Sequence, residues 1–482
     1  MSRAAYPLIF ERSKPGRRAV DLPKLDVPAV AGLIPEEMRA KAAPKLPEIA
    51  EVDAVRHYIG LSRRNYGVDN GFYPLGSCTM KYNPKINEEV ATIFEDLHPY
   101  ADTDCTQGAV DAMMMLDEAF CKMTGFAKFT LQPAAGAHGE YTGLTLIKAY
   151  HDERKDFDRT VIIVPDSAHG TNPASAALAG FTIREVPSAA DGGVDLDALR
   201  AAVGPDVAGL MLTNPNTLGL FDRNIGEITK IIHDCGGLCY YDGANFNAVM
   251  GVARPGDMGF DVLHLNVHKT FSTPHGGGGP GCGVVGCTEA LVPFLPRPVV
   301  IRKGDHGVLD FDRPLSVGKV KAFYGNFSVL LKTLAYIESL GGEGITEGAC
   351  NAVLNANYIL EHLKGVYAVP NDRICMHECI VTPTEEMMEK GVHTSDIAKG
   401  LIDYGYHPPT IYFPLIVHEA LMIEPCESES RETLDGFIDA MKHIAEQALS
   451  DPESMHKLPL TTPVGRPDEV AAARNPIVKC EW

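Results

Sequence analysis

The most informative stretch of this chain is Leu263-His-Leu-Asn-Val-His-Lys269-Thr-Phe-Ser-Thr-Pro-His275-Gly-Gly-Gly-Gly-Pro-Gly281, where an apolar, strand-like run ends in a lysine and a glycine-dense loop follows. An earlier apolar run, Gly237-Leu-Cys-Tyr-Tyr-Asp242-Gly-Ala, ends in an aspartate. Both runs predict buried strands. Ligands of a parallel sheet bind at the carboxyl ends of its strands, so we expect Asp242 and Lys269 to face one site.

A lysine and an aspartate placed in this way are the two groups that pyridoxal 5'-phosphate needs from a protein. The lysine amine forms a Schiff base with the cofactor's aldehyde. The carboxylate keeps the pyridine nitrogen protonated, so that the ring can accept electrons. The sequence therefore predicts a pyridoxal-phosphate enzyme in which Lys269 and Asp242 are catalytic.

Strand and helix patterns alternate around these runs, which predicts an α/β fold with a mainly parallel sheet covered on both faces. After about residue 320 long helical patterns and short strands predict a smaller α+β domain. The expected strands are 160–165, 181–186, 207–213, 238–242, 262–266 and 283–285, with short strands near 375–381 and 411–413. The expected helices are 139–154, 195–203, 225–235, 324–340, 349–363 and 433–449.

The chain is long enough for several domains, since 482 residues exceed what one compact core usually supports. The first residues are rich in proline and make little core of their own. We expect four parts: an extended N-terminal arm (1–60), an N-terminal segment with helices (61–125), a large pyridoxal-phosphate-binding α/β domain (126–320), and a small C-terminal α+β domain with a tail (321–482).

Composition narrows the class of protein. The net charge of −20 argues against nucleic acid and anionic membranes as principal partners. The apolar run near the amino terminus is too short for a signal peptide, and no later run reaches transmembrane length. The twelve cysteines sit singly in apolar segments, which indicates reduced thiols and a cytoplasmic protein.

Several further residues are candidates for cofactor contacts. The small residues Ala135, Gly136 and Ala137 precede a helix, where backbone N–H groups can approach a phosphate, although a tight turn with a helix cap would look the same. His169 follows a strand and can stack on the pyridine ring or simply pack. The side chains of Thr213 or Asn214 can donate to the cofactor's phenolic oxygen, but Asn-Pro is also a common turn.

Two histidines have a second interpretation. His268 would point away from Lys269 in a regular strand, and it can reach the phosphate only if the chain bends there. Packing explains it equally well. His377 lies in Cys375-Met-His-Glu-Cys379, where a zinc site is conceivable, but no second ligand cluster is evident and strand packing is the better explanation. We expect no metal.

Longer motifs resemble the P-protein family of the glycine cleavage system, from about residue 60 to the carboxyl end. The chain is similar to the carboxyl-terminal half of the long P-protein chain, which is subunit 2 of the two-subunit form. The motifs are Tyr73-Pro-Leu-Gly-Ser-Cys-Thr-Met-Lys-Tyr-Asn-Pro84, Ser167-Ala-His-Gly-Thr-Asn-Pro-Ala-Ser175, Asp242-Gly-Ala-Asn245, Leu265-Asn-Val-His-Lys-Thr-Phe271, Pro274-His-Gly-Gly-Gly-Gly-Pro-Gly281, His377-Glu-Cys-Ile380 and Met422-Ile-Glu-Pro-Cys-Glu-Ser-Glu-Ser430.

The resemblance implies a fold type I pyridoxal-phosphate enzyme with glycine dehydrogenase (decarboxylating) activity. It implies that the aminomethyl group of glycine passes to the lipoyl arm of H-protein as CO₂ leaves. It also implies a homologous subunit 1, with two copies of each subunit. The residues that the family's motifs assign are Lys269 (Schiff base), Asp242 (pyridinium), His169 (ring stacking), and Ala135, Gly136 and Ala137 (phosphate). Ala244, two residues after Asp242, is a further candidate for a cofactor contact.

The chain departs from the family's pattern at one loop, and other interpretations of the same residues stay open. The family often has Tyr-Pro-Ser-Thr-His where this chain has Asn214-Pro-Asn-Thr-Leu218, so the resemblance assigns no role to this loop. An aminotransferase or a cysteine desulfurase of the same fold is an alternative, as is a non-catalytic subunit, which would lack the lysine. The loop that carries Ser77, Cys78, Thr79 and Asn83 is a candidate for the substrate or lipoyl entrance, and a plain loop residue is the simpler explanation of Cys78.

Overall fold

The computed structural model describes residues 6–28, 32–42, 44–276 and 281–478. The chain divides into two compact units, one made of Met1–Asn70 with Lys457–Trp482 and the other of Gly71–His456. All candidate site residues belong to the second unit. The further division of that unit into a large and a small domain stays a prediction.

The helices and strands of the described residues are numbered in chain order. The helices are α1 (Glu51–Ser62), α2 (Lys85–Thr92), α3 (Gln107–Thr124), α4 (Gly136–Glu153), α5 (Thr171–Leu178), α6 (Leu196–Ala202), α7 (Ile225–Asp234), α8 (Val267–Thr270), α9 (Phe327–Leu363), α10 (Glu385–Glu389), α11 (Thr394–Asp403), α12 (Arg431–Ser450), α13 (Pro452–Met455) and α14 (Glu469–Arg474). The strands are β1 (Lys128–Thr130), β2 (Val161–Pro165), β3 (Thr182–Val186), β4 (Val207–Thr213), β5 (Leu238–Gly243), β6 (Val262–Asn266), β7 (Gly283–Cys287), β8 (Val299–Lys303), β9 (His306–Asp310), β10 (Cys379–Val381), β11 (Thr410–Ile411) and β12 (Leu421–Ile423).

The central sheet has the strand order β1-β7-β6-β5-β4-β2-β3. β2 to β6 pair in parallel, and β7 runs antiparallel to β6 and β1. Every residue of β2, β4, β5 and β6 is buried, which is why these strands are continuous apolar runs without alternation. The predicted α/β class with a mainly parallel sheet is confirmed.

The apolar core fills both faces of this sheet. Alternate residues of β5 point to opposite faces, so Tyr240 packs in one cluster and Tyr241 in the other. Gly143 lets α4 approach β5 closely, because a Cβ there would collide with the Tyr240 ring. Close packing of α4 matters for function, since its amino terminus reaches the carboxyl edge of the sheet.

The C-terminal part of the second unit contains a small antiparallel sheet in the order β10-β12-β11. α9 spans both helices predicted for 324–340 and 349–363, and Gly341, with φ +62°, breaks its regular geometry between them. The strand predicted near Cys375–Val381 is shorter, because only Cys379–Val381 pairs with β12. Among the described residues no helix is long and apolar enough to cross a bilayer.

The first unit contains the predicted N-terminal arm. Its described residues before Glu51 form only short 3-10 turns, at Phe10–Arg12 and Glu36–Met38. α1 then begins within the range predicted as extended, because Glu51–Ser62 places acidic residues in its first turn. The hydroxyl of Tyr6 donates to the carbonyl of His57, which joins the start of the described chain to this helix.

Candidate functional site

A cavity of about 180 Å³ lies at the carboxyl ends of β2, β4, β5 and β6, beside the amino terminus of α4. The predicted residues that line it are Ser77, Gly136, Ala137, His169, Thr213, Asp242, Ala244, His268 and Lys269. It is also lined by residues that the sequence did not single out, namely Glu140, Thr171, Thr217, Asn245 and Asn266. Five predicted residues do not line it: Cys78, Thr79, Asn83, Ala135 and Asn214.

Asp242 ends β5 as a buried carboxylate, only 2% exposed. Its Oδ2 accepts from Asn172 Nδ2 at 2.8 Å, and its Oδ1 accepts from the Ala244 N–H at 2.9 Å. The parallel register of β5 and β6 sets His264 beside it, with Nε2 3.4 Å from Oδ1. Burial opposes ionisation, but His264 and these hydrogen bonds outweigh it and lower the pKa of Asp242. The carboxylate is therefore suited to a positively charged ring nitrogen.

Lys269 lies in a helical turn and not in the strand itself. β6 ends at Asn266, and Val267–Thr270 forms α8. This bend is the condition under which His268 was predicted to reach the site, and both His268 and Lys269 line the cavity. The Lys269 amine donates to the carbonyl of Ser77 at 2.8 Å. An amine held at the cavity wall is placed to react with an aldehyde.

The amino terminus of α4 forms another wall. Ala135 precedes it in an extended conformation and has no side chain that could cap the helix. Its carbonyl accepts the Gly139 N–H, which makes it part of the helix start and not of the cavity wall. A Cβ on Gly136 would lie 2.5 Å from Asn266 Oδ1, so glycine is required for this approach. Such a helix start favours a bound anion.

His169 lies on the exposed side of the cavity, after β2. Its Nδ1 accepts from the Thr171 N–H at 3.2 Å, and Thr171 in turn donates its hydroxyl to Glu140 at 2.8 Å. The Phe413 ring and the imidazole meet edge to face, with their ring centres 5.4 Å apart. These contacts hold the imidazole at the mouth of the cavity.

Thr213 and Asn214, at the end of β4, have different surroundings. The hydroxyl of Thr213 is buried at the cavity and has no partner among the described residues. Asn214 instead uses Oδ1 to accept the Asp222 N–H at 2.9 Å, and its carbonyl accepts from Tyr241. Asn214 Nδ2 also lacks a partner among the described residues, but Asn214 does not line the cavity, so Thr213 is the predicted donor that a ligand in the cavity can reach.

Two histidines lie beside Lys269. His268 Nδ1 accepts the Cys282 N–H at 3.4 Å, and its ring meets that of His275 edge to face at 5.2 Å. Burial, followed by neighbouring positive charge, lowers the pKa of His268 to about 3 and that of His275 to about 4. Both are thus neutral at physiological pH. The glycine run that follows falls, from residue 277, outside the described residues.

The loop predicted as an entrance contributes Ser77 alone to the cavity wall. Thr79 is buried against Glu424, and Asn83 donates to the carbonyl of Lys81 at 3.3 Å. Burial raises the pKa of Cys78 despite the nearby charge of Lys269, so its thiol stays protonated. The role of this loop as an entrance stays a prediction.

Four of the polar residues at the site that were not predicted carried some signal in the sequence. Asn172 and Asn266 belong to quoted motifs, and their polarity next to buried strands was the available signal. His264 could have been found by pairing the two strands in parallel register, since it lies opposite Asp242. Glu140, buried on α4, gave only the weaker signal of a carboxylate on a packed helix face.

The residues of the cavity fit pyridoxal phosphate. The fit rests on buried polar atoms that lack partners within the described chain, Thr213 Oγ1 and Asn266 Oδ1. It rests also on a helix start without a side-chain cap, an ionised aspartate and a lysine amine around one small space. These groups match the hydroxyl, phosphate, ring nitrogen and aldehyde of the cofactor.

The motif considered for zinc has another arrangement. Cys375 and Cys379 are buried, and the carbonyl of Cys375 accepts from Asn357. His377 lies near two carboxylates, Glu378 and Glu424, and neither cysteine belongs to that group. Both cysteines therefore pack in the interior, Cys379 in β10 as predicted and Cys375 before that strand begins.

Comparison with known proteins places the chain among relatives of similar length. A family model described as "Glycine dehydrogenase, C-terminal domain" matches residues 348–457. "Probable glycine dehydrogenase (decarboxylating) subunit 2" of Caldanaerobacter subterraneus subsp. tengcongensis is 58% identical over 98% of both chains. The protein of the same description from Alkaliphilus oremlandii is also 58% identical over 98% of both.

A solved structure of the glycine decarboxylase P-protein of the glycine cleavage system, in inhibitor-bound form, has a similar fold. The TM-score is 0.72, with 19% identity, over 86% of this chain and 93% of that one. At this identity the likeness concerns the fold alone.

Proposed function

The chain belongs to the glycine dehydrogenase (decarboxylating) subunit 2 family, and from that premise we propose how its residues serve the reaction. The protein is a fold type I pyridoxal-phosphate enzyme of the glycine cleavage system. The expectations of fold class, cofactor and activity drawn from the sequence are thereby confirmed. The roles of individual residues remain proposals.

Each wall of the cavity has a separate task in this proposal. When bound, pyridoxal phosphate supplies a ring that accepts the electron pair of the bond broken in glycine. Asp242 holds positive charge at the ring nitrogen, the start of α4 binds the phosphate, and His169 packs on the ring face. Lys269 anchors the cofactor and, once its amine is free, holds or moves a proton. Thr213 donates to the phenolic oxygen.

The single observation that carries these assignments is the convergence of Lys269, Asp242 and the start of α4 on one cavity. They come from three separate elements, and each supplies a different chemical need of one cofactor. Family membership alone would not say which side chains do this work.

The relatives are named as subunit 2, so this chain works with at least one other subunit. We propose that this partner is a homologous subunit 1, with two copies of each in the assembly. We propose further that the substrate is glycine, that the acceptor of the aminomethyl group is the lipoyl arm of H-protein, and that the reaction takes place in the cytoplasm.

The desulfurase alternative receives little support from the cavity. It requires a reactive thiolate near the cofactor, and burial keeps the pKa of Cys78 above its ordinary value. An aminotransferase needs a cation for a second substrate carboxylate, and no arginine lines the cavity in the described part of the chain.

Borohydride reduction tests the anchor. The full-length protein loaded with pyridoxal phosphate is reduced, digested and analysed by mass spectrometry, and we expect the pyridoxyl group on Lys269. Lys269→Ala should lose the modification. Lys148→Ala, on an exposed face of the phosphate-binding helix α4, should keep it. Modification of a different lysine would reject the assignment.

Isotope exchange tests the reaction. The protein, mixed with its candidate subunit 1, should exchange the carboxyl carbon of glycine with bicarbonate, and Lys269→Ala should abolish the exchange. Full exchange by that variant would remove Lys269 from the mechanism.

A further inference from the structure

Two buried glutamates lie next to each other at the edge of the small sheet. Glu378 directly precedes β10 and Glu424 directly follows β12. The antiparallel register pairs Cys379 with Ile423, which brings the two glutamates together. Both are completely buried, and carboxylate oxygens of the pair lie within 4.8 Å of one another and of a His377 nitrogen. A buried acid pair of this kind needs a counter-charge or a proton.

The two glutamates clamp the loop that carries Ser77 and Thr79. Glu378 Oε2 accepts the Ser77 N–H at 2.8 Å, and Glu424 accepts both the Thr79 N–H at 2.9 Å and its hydroxyl at 2.5 Å. Ser77 and Thr79 have φ angles of +62° and +49°, which cost energy for residues other than glycine. The hydrogen bonds to Glu378 and Glu424 hold the backbone in this conformation.

The clamped loop binds Lys269. The Ser77 carbonyl accepts from the lysine amine at 2.8 Å, and the charge of Lys269 acts on both glutamates. The other titratable groups whose charge is coupled to this amine are Cys78, Asp242, His268, His275 and His377.

Most of these neighbours are uncharged. Burial raises the pKa of Cys78 and lowers the pKa of His377 to about 3, and His268 and His275 are neutral for the same reason. His377 is fully buried, has no hydrogen-bond partner among the described residues, and points Nε2 at Glu424 Oε1 from 3.8 Å. Negative charge near the amine thus comes from the cofactor side, where Asp242 and Glu140 line the cavity, and from the glutamate pair on the loop side.

The glutamate pair keeps part of its charge at neutral pH. Burial raises the pKa of Glu424 to about 7, although its bonds to Thr79 act against this. Burial and the neighbouring Glu424 raise the pKa of Glu378 well above its ordinary value. The pair therefore holds one proton and up to one negative charge, which is what a single ammonium group requires.

We propose that the Ser77–Thr79 loop, clamped by Glu378 and Glu424, is a binding site for the free ammonium group of Lys269. The loop holds this group while substrate occupies the position that the amine has left. Glu378 and Glu424 are then positioning residues for Lys269. This inference rests on the anchoring role proposed for Lys269, which the borohydride experiment tests by itself.

Competitive labelling tests the site on the full-length protein freed of cofactor. Lysines are acetylated with acetic anhydride over a range of pH, and the midpoint of labelling at Lys269 is read by mass spectrometry. Glu378→Gln with Glu424→Gln keeps an oxygen acceptor for each loop N–H, and the Thr79 hydroxyl can turn to accept from the new NH₂ group, while the negative charge is removed. We expect the Lys269 midpoint to fall by about one pH unit, the lower end of what a nearby opposite charge produces. Near neutral pH this corresponds to about tenfold faster labelling.

Two further variants make the outcome decisive. Glu424→Gln alone should shift the midpoint in the same direction, and it serves if the double variant does not fold. Glu419→Gln is the matched control, since Glu419 is also buried and accepts the Thr394 N–H at 2.8 Å, away from the cavity. It should leave the Lys269 midpoint unchanged. An unchanged midpoint in both Glu424 variants would overturn the proposal, because a purely structural clamp survives the change to glutamine.

Discussion

Asp242→Asn removes one buried charge while the shape of the side chain stays the same. The carboxamide oxygen can still accept the Ala244 N–H. Asn172, whose Oδ1 lacks a partner in the described chain, can turn its amide to accept from the new NH₂ group. We therefore expect the free energy of unfolding to fall by only about 1 kcal/mol, the net worth of one exchanged hydrogen bond.

The effect on cofactor chemistry should be much larger. In a site that leaves Asp242 2% exposed, the charge opposite the ring nitrogen is poorly screened. Removing one partner of a buried, hydrogen-bonded charge pair costs about 2–5 kcal/mol. At about 1.36 kcal/mol for each factor of ten, decarboxylation should slow by between about 30-fold and about 5,000-fold.

Glycine–bicarbonate exchange and urea unfolding measure the two effects on the same preparations. Asp222→Asn is the control, because Asp222 is another buried carboxylate, and it accepts the N–H groups of Val194 at 2.8 Å and Asn224 at 2.9 Å outside the cavity. It should cost stability but leave the exchange rate per folded molecule unchanged. If Asp242→Asn exchanges at more than about a third of the original rate, the assignment of Asp242 to the ring nitrogen is refuted.

Three further changes have expected outcomes. Gly136→Ala would place a methyl group 2.5 Å from Asn266 Oδ1, so it should weaken pyridoxal phosphate binding by about tenfold or more, measured by absorbance titration; unaltered affinity would contradict the close approach. Lys81→Met should lower the free energy of unfolding in urea by about 3–5 kcal/mol, because it leaves Glu427 without its ion-pair partner, and a loss below about 1 kcal/mol would show that the pair is not buried in solution. Burial raises the pKa of Glu424 from 4.5 to about 7, so the native state binds this proton more tightly and stability falls as pH rises across that interval, by up to about 3 kcal/mol. In Glu424→Gln the free energy of unfolding should no longer fall over this range, so the variant should gain stability relative to the unaltered protein between about pH 5 and about pH 8. If urea unfolding gives the same dependence of stability on pH for both proteins, the assignment is contradicted.

The central sheet was predictable because its strands are buried on both faces. Val207–Thr213 and Val262–Asn266 occur with the predicted bounds, since a continuous apolar run flanked by polar residues leaves little choice of position. Most other helix and strand ends lie within three residues of the predicted ones, as at α4, which begins at Gly136 and not at Gly139. The strand predicted near 375–381 begins four residues later, at Cys379. The start of α4 matters most, because its N–H groups are the ones proposed to bind the phosphate.

Local pattern also identified Lys269 and Asp242, because each lies at the end of its own apolar run. Their chemistry depends on neighbours that are distant in the chain. His264 tunes Asp242 only through the parallel register of β5 and β6, and Asn172 reaches it from another loop. The sequence alone does not say which strands pair, so these distances cannot be read from it.

The amino acid order thus determined the class of fold and the cofactor, and it predicted the lysine and aspartate proposed to serve that cofactor, because those features follow from residue type and local periodicity. The pairing of Glu378 with Glu424, and their hydrogen bonds to a loop some 300 residues earlier in the chain, are visible only in the tertiary structure. Hydrogen bonds and charges act over a few ångströms in space, and sequence separation carries no information about which groups will come within that range.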